Sequence, residues 1–380
     1  MSRFIKYALI VFVLVLPEFV LSAQSEPENK VRFAYDVSFD MNFDNREYYR
    51  SDFSPSMTIF GARLSPSVGI SVLRHDDLKH KVMLGVDVMK DFGGGTTTKD
   101  IIRELLVYYK MTKPFRNTDF SMTAGIFSKN EMEGFYSRAF FSDSLRFYDN
   151  NIEGLLLKFR QPGSYFEVGC DWIGQYSTYE RKKFMIFSSG VGKILPFMSL
   201  GYSAYMYHFA NSEIAKGLVD NILVNPYISF DFGYKLGIQK AYARVGWLQA
   251  MQNDRRYVGE YVFPGGGELD MELRNWNVGI ANSIYYGADI MPYYDSIDSA
   301  GIKYGNNLYY GDPFYRVHNN KGSSDPGFYD RLEAYYEPKI GTYLKLRISA
   351  VFHFNDIAYS GCQQMVTLKF DLQELINRYN

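Results

Sequence analysis

The sequence predicts an all-β protein: a transmembrane antiparallel β-barrel of about 16 strands (alternative 14), preceded by a signal peptide. Three observations predict it. Apolar and polar residues alternate with period two along nearly all of the chain after the N-terminus. The alternating runs commonly reach about 11–15 residues, where a membrane-crossing strand needs about 9–11. Short and long connections then take turns between the runs, as tight periplasmic turns and longer outer loops do in outer-membrane barrels.

Composition narrows the class before any strand is placed. Hydrophobic residues make up 47% and charged residues 22% of the 380, and the net charge is −1. Mean hydropathy is −0.22, as in an ordinary soluble protein. The apolar fraction excludes disorder. A net charge so near zero gives nucleic acid no basic surface to bind. Past the N-terminus no stretch of about 18 apolar residues supports a membrane helix. Cys170 and Cys362 are the two cysteines, too few for a disulfide framework or a Cys-rich zinc site. Aromatic residues stand out at 17%, with 33 Tyr, 30 Phe and 3 Trp.

Residues 1–23 read as a secretory signal peptide. Arg3 and Lys6 form its basic start, Tyr7–Leu16 its apolar core, and Leu21-Ser22-Ala23 the approach to a cut near Ala23. The rest, 24–380, is read as one barrel. Its first strand places Val31, Phe33, Tyr35, Val37, Phe39, Met41 and Phe43 on one face and Arg32, Asp36, Ser38, Asp40 and Asn42 on the other. Further apolar rows follow at Ala62–Val72, Val82–Val88, Phe120–Ile126, Phe166–Trp172, Ile228–Tyr234, Leu344–Phe354 and Val366–Leu372. Tight turns are expected near 74–80, 112–118, 161–164, 194–196, 235–237 and 338–341. Long connections are expected near 44–55, 92–100, 129–150, 175–182, 211–221, 252–268 and 291–327. Direct counting gives about fifteen strands, and bacterial barrels favour an even number. The stretch 268–290 is long for one strand, and splitting it gives sixteen.

Signal peptide, alternating strands and aromatic abundance together resemble the porin-type outer-membrane barrels of Gram-negative bacteria. The segments Arg138-Ala-Phe-Phe-Ser-Asp-Ser-Leu-Arg146, Asp149-Asn-Asn-Ile-Glu-Gly154 and Asp220-Asn-Ile-Leu-Val-Asn-Pro-Tyr227 are similar to those of uncharacterised Bacteroidetes outer-membrane proteins. The resemblance implies a bacterial outer-membrane location, passive passage of small polar solutes (oligosaccharides among them), and an oligomer, in porins often a trimer. It also implies outer-membrane lipid and the barrel-assembly machinery as partners. One departure is the end of the chain, where a polar tail to Asn380 follows Phe370 and Leu372.

If the apolar rows face lipid, the other rows line the pore. The candidate pore-lining residues are Arg63, Lys81, Asp87, Glu104, Lys110, Glu167, Asp171, Lys240, Arg244, Arg274, Arg331, Glu333, Lys345 and Arg347. With Asp36, Asp40, Asp231, Glu272, Glu337 and Lys369 counted in, acids and bases balance on the wall, so the wall alone implies no strong ion selectivity. Two readings stay open: the charges pair between neighbouring strands, or they stand apart across a narrow pore and set up a transverse field. Porins fold their third long loop inward, which makes 129–150 the candidate constriction loop by resemblance. Its charged residues are Glu131, Glu133, Arg138, Asp143 and Arg146, set among Phe135, Tyr136, Phe140, Phe141, Phe147 and Tyr148. Aromatic residues at that density need something to pack on, whether the barrel wall, another loop or a ligand. The longest connection, 291–327, is expected as an outer loop. Its tyrosines could cap the pore or stack on sugar rings.

Other chemistry finds little support. Gly93-Gly94-Gly95 and Gly265-Gly266-Gly267 suit loop tips and lack the strand–turn–helix setting of a phosphate site. Asp295–Asp298 offers oxygen ligands without EF-hand spacing, so no metal or cofactor is predicted. Some outer-membrane barrels hydrolyse lipid acyl chains. His208-Phe-Ala-Asn-Ser212 is similar to the His-x-Ser-Asn stretch of lipid A deacylases, but Ala210 stands where that pattern has its nucleophile. No Gly-x-Ser-x-Gly or His-Glu-x-x-His occurs. The chain is therefore read as a channel with no catalytic residues. The alternatives are a lipid-modifying acyl hydrolase, or a barrel serving as a structural or surface-binding scaffold.

Overall fold

The computed structural model describes residues 29–49, 55–93, 101–298, 301–317, 326–341, 343–356 and 358–371. Residues 1–23, expected as a signal peptide, lie outside the described residues, as do Gly94, Gly95, His318 and the tail after Asp371. Sixteen strands form within them, each hydrogen-bonded to its chain neighbours and the last to the first. They are β1 (Lys30–Tyr48), β2 (Met57–Leu73), β3 (Lys79–Asp91), β4 (Ile102–Phe115), β5 (Thr118–Ser128), β6 (Asn151–Gln161), β7 (Ser164–Gly174) and β8 (Lys183–Leu195). The second half comprises β9 (Met198–Phe209), β10 (Val219–Asp231), β11 (Lys240–Asp254), β12 (Gly265–Asn275), β13 (Val278–Gly287), β14 (Gly327–Tyr336), β15 (Leu344–Asn355) and β16 (Ala358–Asp371). All pairings are antiparallel, and β1 closes on β16 from Ser38↔Asp371 to Tyr48↔Gly361. The stretch 268–290 holds two strands, parted at Trp276 and Asn277, whose φ angles are 50° and 65°. Positive φ at both central residues is the geometry that matches a two-residue turn to strand twist.

The apolar rows point outward. Phe33 is 69% exposed, Leu84 60%, Leu105 59% and Leu273 59%, values that make sense only against hydrocarbon. At the short-turn end Lys235 sits 4.1 Å over the Phe197 ring, and Trp276 projects outward, as in an interfacial girdle. A closed barrel with such a belt spans a membrane with every strand edge paired. The chain is a membrane-spanning β-barrel.

Two expectations need correction. Gly265, Gly266 and Gly267 are not a loop tip: they open β12, in register with Gln249, Leu248 and Trp247. The strands crowd here, and a Cβ on Gly266 would stand 2.5 Å from the Tyr286 carbonyl oxygen and 2.7 Å from the Tyr285 ring. Nor is the inner row uniformly polar. Phe127, Ile152, Leu156, Met185, Phe187, Tyr205, Tyr207, Phe209, Leu223, Leu248 and Tyr285 are inward and buried, forming one cluster inside the barrel. On β9, Tyr205 to Phe209 is apolar or aromatic on both faces, because lipid covers one side and inward-folded loops cover the other.

The glycine contacts give a direct test. Gly266→Val should abolish the heat-modifiable folded band on gels, since a backbone oxygen cannot give way. Gly267→Ala, whose Cβ would meet nothing within 4 Å, should leave the band unchanged. Equal behaviour of the two variants would refute the register.

Candidate functional site

Segment 129–150 enters the barrel from the end of β5. Ser128 Oγ accepts from Asn130 N and starts a 3-10 turn at Lys129–Glu131. A six-residue helix, α1 (Asp143–Tyr148), follows, with Ser142 Oγ accepting from Leu145 N. Wall charges seize the loop's backbone between these two pieces. Glu133 N and Gly134 N donate to the two Glu167 carboxylate oxygens at 2.8 Å each, and Tyr136 Oη donates to Glu167 at 3.0 Å. Charge-assisted bonds of this kind are about twice as strong as neutral ones. A Cβ on residue 134 would stand 2.2 Å from Glu167 Oε1, so this approach requires glycine. Next in the chain, Phe135 lies under the Arg244 guanidinium at 3.9 Å, while Arg244 pairs with Glu268 at 2.9 Å. With the guanidinium buried and the ring partly exposed, such a cation–π contact contributes about 1 kcal/mol.

The remaining aromatics of the loop pack on the wall. Tyr136, Phe140, Phe141 and Phe147 are buried, with Phe140 edge-on to Tyr205 at 5.4 Å and Tyr136 edge-on to Phe187 at 6.1 Å. The loop's charges are held as well. Glu131 pairs with Lys110 at 2.6 Å, Glu133 with Arg160 at 2.7 Å, and Arg138 with Asp143 at 3.0 Å. Burial works against the Asp143 carboxylate, but Arg138 and Arg331 outweigh it and hold the group well below the usual carboxylate range.

The outer-loop expectation for 291–327 needs correction: much of its described part, together with Ala288–Ile290, packs inside, while Ile297 and Ile302 stay exposed. Ile290, Met291, Tyr304, Leu308, Phe314, Tyr315 and Val317 are buried in the same cluster. Tyr315 Oη donates to Glu268 at 2.7 Å, Tyr309 Oη to Gln252 at 2.7 Å, and Asn221 Nδ2 to the Leu308 carbonyl at 2.7 Å. Phe314 stacks on His353 with ring centres 4.3 Å apart. That imidazole is held by Tyr329 Oη at 2.9 Å and by Gln363 at 2.8 Å, and Gln363 in turn donates to Asp44 at 3.0 Å. The two loops meet backbone to backbone: Asp312 N donates to the Arg138 carbonyl at 2.7 Å, and Ser142 N to the Tyr310 carbonyl at 2.8 Å. Between these bonds a Cβ on Gly311 would stand 2.0 Å from the Ala139 carbonyl oxygen.

The loops lean on the apolar side of the wall and leave a chamber of about 330 Å³ against β1, β2 and β14–β16. Its wall residues include Asp40, Asn42, Arg63, Arg331, Glu333, Arg347, Ser349, Thr367 and Lys369, and the loop adds Arg138, Asp143, Arg146, Phe147 and Asn150. Seven of the sequence-predicted residues thus meet here. Arg63 pairs with Asp87 at 2.7 Å, while Arg331 and Arg347 each reach Glu333 at 2.8 Å.

The others stand elsewhere on the inner surface. Glu104 accepts from Asn151 at 2.6 Å, Asp171 lies 3.4 Å from Lys129, Lys240 pairs with Glu272 at 2.6 Å and Arg274 with Glu337 at 2.8 Å. Lys81 is in register with Lys110, and Lys345 with Lys369. Sequence reasoning placed Asn42 on the inward face without marking it as a site residue, and it missed Ser349 and Thr367 in the chamber and the glycines at 134 and 311. The uncharged residues carry no signal that separates them from any other inward polar position.

His208 lies 3.7 Å from Asp220 with its ring against Phe184, and Ser212 Oγ accepts from Ala215 N. Asp295 is taken by Lys303 at 2.8 Å and Arg316 at 2.6 Å.

Residues 25–193 match a family described as lipid A 3'-O-deacylase-type, over less than half of the chain. No curated protein matches the sequence. Among solved structures, OccD3 (OpdP) of Pseudomonas aeruginosa is similar at 10% identity, over 89% of this chain and 91% of that one, with a TM-score of 0.45. OpdL of the same species is similar at 9% identity over 90% and 98%, TM-score 0.47. A mutant of Rh. blastica porin is similar at 10% identity over 90% and 100%, TM-score 0.44.

Gly134→Ala should push Glu167 away and loosen the loop, at a cost of about 1–3 kcal/mol. Limited trypsin digestion read by mass spectrometry should show faster cleavage after Arg138 and Arg146 than in the wild type. Unchanged cleavage rates would mean that the close approach at residue 134 does not hold the loop.

Proposed function

We propose that the chain is a porin-like outer-membrane channel for passive passage of small polar solutes, with 129–150 as its constriction loop. The observation that carries this reading is the chamber itself. It is a space inside a membrane-spanning barrel, lined by charged and hydrogen-bonding side chains together with Met41, Phe147 and Met365, and bounded on one side by strand residues and on the other by α1 and the segments flanking it. Hydrogen-bonding groups line it from Asn42, Ser349 and Thr367, while the apolar side of the wall is filled by loops. Such a space favours a hydrated solute of limited cross-section over a lipid tail. Surrounding lipid and the barrel-assembly machinery are the partners this reading requires, and an oligomer is compatible with it.

Folded protein in a planar bilayer should give single-channel steps; their absence would end the channel reading. Deleting 135–148 should raise the step size, provided the variant keeps its heat-modifiable band. An unchanged step size would remove the loop from the solute's path.

A second reading, lipid acyl hydrolysis, is favoured by the match over 25–193. Its best local candidate is His208, which lies beyond that match, with Ala210 in place of the hydroxyl residue. Incubation of the folded protein with lipid A should release no fatty acid. Release that His208→Ala abolishes would establish the hydrolase instead.

A further inference from the structure

Along the inner wall, cations and carboxylates are matched almost one to one. Around the chamber the match fails. Its lining holds six cations (Arg63, Arg138, Arg146, Arg331, Arg347 and Lys369) against the three carboxylates Asp40, Asp143 and Glu333. Most of these cations are nevertheless engaged. Arg63 has Asp87, Lys369 lies 3.5 Å from Asp40, Arg138 has Asp143, and Arg331 and Arg347 share Glu333.

Arg146 differs from all of them. Among the described residues it makes no ion pair; its Nη2 donates to the Tyr136 carbonyl at 2.7 Å, and its side chain stays exposed to the chamber. Its nearest acid on the same helix, Asp143, already faces Arg138 at 3.0 Å and Arg331 at 3.7 Å. The bond to Tyr136 O uses one of five guanidinium N–H donors and fixes the side chain's direction without neutralising it. A positioned guanidinium that opens onto the chamber without an ion pair of its own presents a planar fork that suits carboxylate and phosphate oxygens.

We infer that the chamber is an anion subsite, in which Arg146 receives a carboxylate or phosphate group of the solute. This deepens the channel reading and rests on it for the solute's route, whereas the site itself is defined by the residues around it. Carboxylate and phosphate share the oxygen pair that Arg146 would hold, so the two are tried separately.

Reversal potentials in a potassium chloride gradient test the inference in the conducting protein. Wild type should prefer chloride, and Arg146→Gln should lower the chloride-over-potassium permeability ratio by about fivefold. Arg146→Lys, which keeps the charge, should retain most of the preference. A wild type without anion preference, or an Arg146→Gln variant with the wild-type ratio, overturns the inference while the channel stands.

NMR line broadening of acetate and of inorganic phosphate by the detergent-folded barrel provides a readout independent of conduction. Broadening that Arg146→Gln removes supports the subsite even in a barrel that gives no steps, in which case only the channel reading falls. No broadening by folded wild type with either anion overturns the inference. Broadening by one anion alone identifies which group the subsite takes. The heat-modifiable band of each variant shows that it is folded.

Discussion

Everything in this molecule follows from the requirement that backbone N–H and C=O groups in hydrocarbon be bonded within the protein. Sixteen strands meet it by closing β1 on β16, and closure fixes the size of the interior. A ring of sixteen strands is wider than its own side chains can fill. The interior must therefore hold water, or chain borrowed from the loops. This barrel does both, unequally. Much of the inner surface from β5 to β13 is aromatic and aliphatic, set around the charged anchors Glu167, Arg244 and Glu268, and is covered by 129–150 and 288–317, while the wall of β1, β2 and β14–β16 faces the chamber.

The borrowed chain stays inside by two kinds of force. Aromatic burial supplies most of the favourable free energy, about 1.5–3 kcal/mol for each fully buried large side chain. Polar anchors supply direction: Glu167 grips the backbone at Glu133 and Gly134, Arg244 clamps Phe135, and Glu268 holds Tyr315. Burying carboxylates and guanidinium groups costs solvation, and that cost is offset only because nearly every charge has a partner. Arg146 escapes this rule because its side chain is exposed to the chamber. The same account explains why a chain with near-zero net charge has a charged interior.

Much of the fold was legible. The period-two rows, the order of short and long connections, and the length of 268–290 together give sixteen strands and the facing of the charged wall residues. Inner-row hydrophobicity was not foreseen, although a trace of it exists. Alternation fades along Tyr205–Phe209, where no polar residue separates the aromatics except His208, and that residue faces Phe184. A strand apolar on both faces must be covered on both. Pattern alone does not say by what, since the covering segments lie far away in sequence. The glycines were misread for a related reason. Three in a row suit a loop tip, but they equally suit strands pressed together, and only register separates the two cases. At the site, the charged residues of α1 were visible as a group. Which of them was left unpaired depends on wall residues from the opposite end of the chain.

The clasp between the loops carries a consequence for how the barrel is built. Arg138 and Ser142 lie in the first half of the chain, while Tyr310 and Asp312 lie near its end, and they bond through backbone alone. Contacts so distant in sequence form late, because the loop entropy between them must be lost first. The wall that both segments rest on is itself complete only after β14 pairs. The clasp is therefore a long-range closure: it joins the two halves of the chain only where both segments already lean on a paired wall.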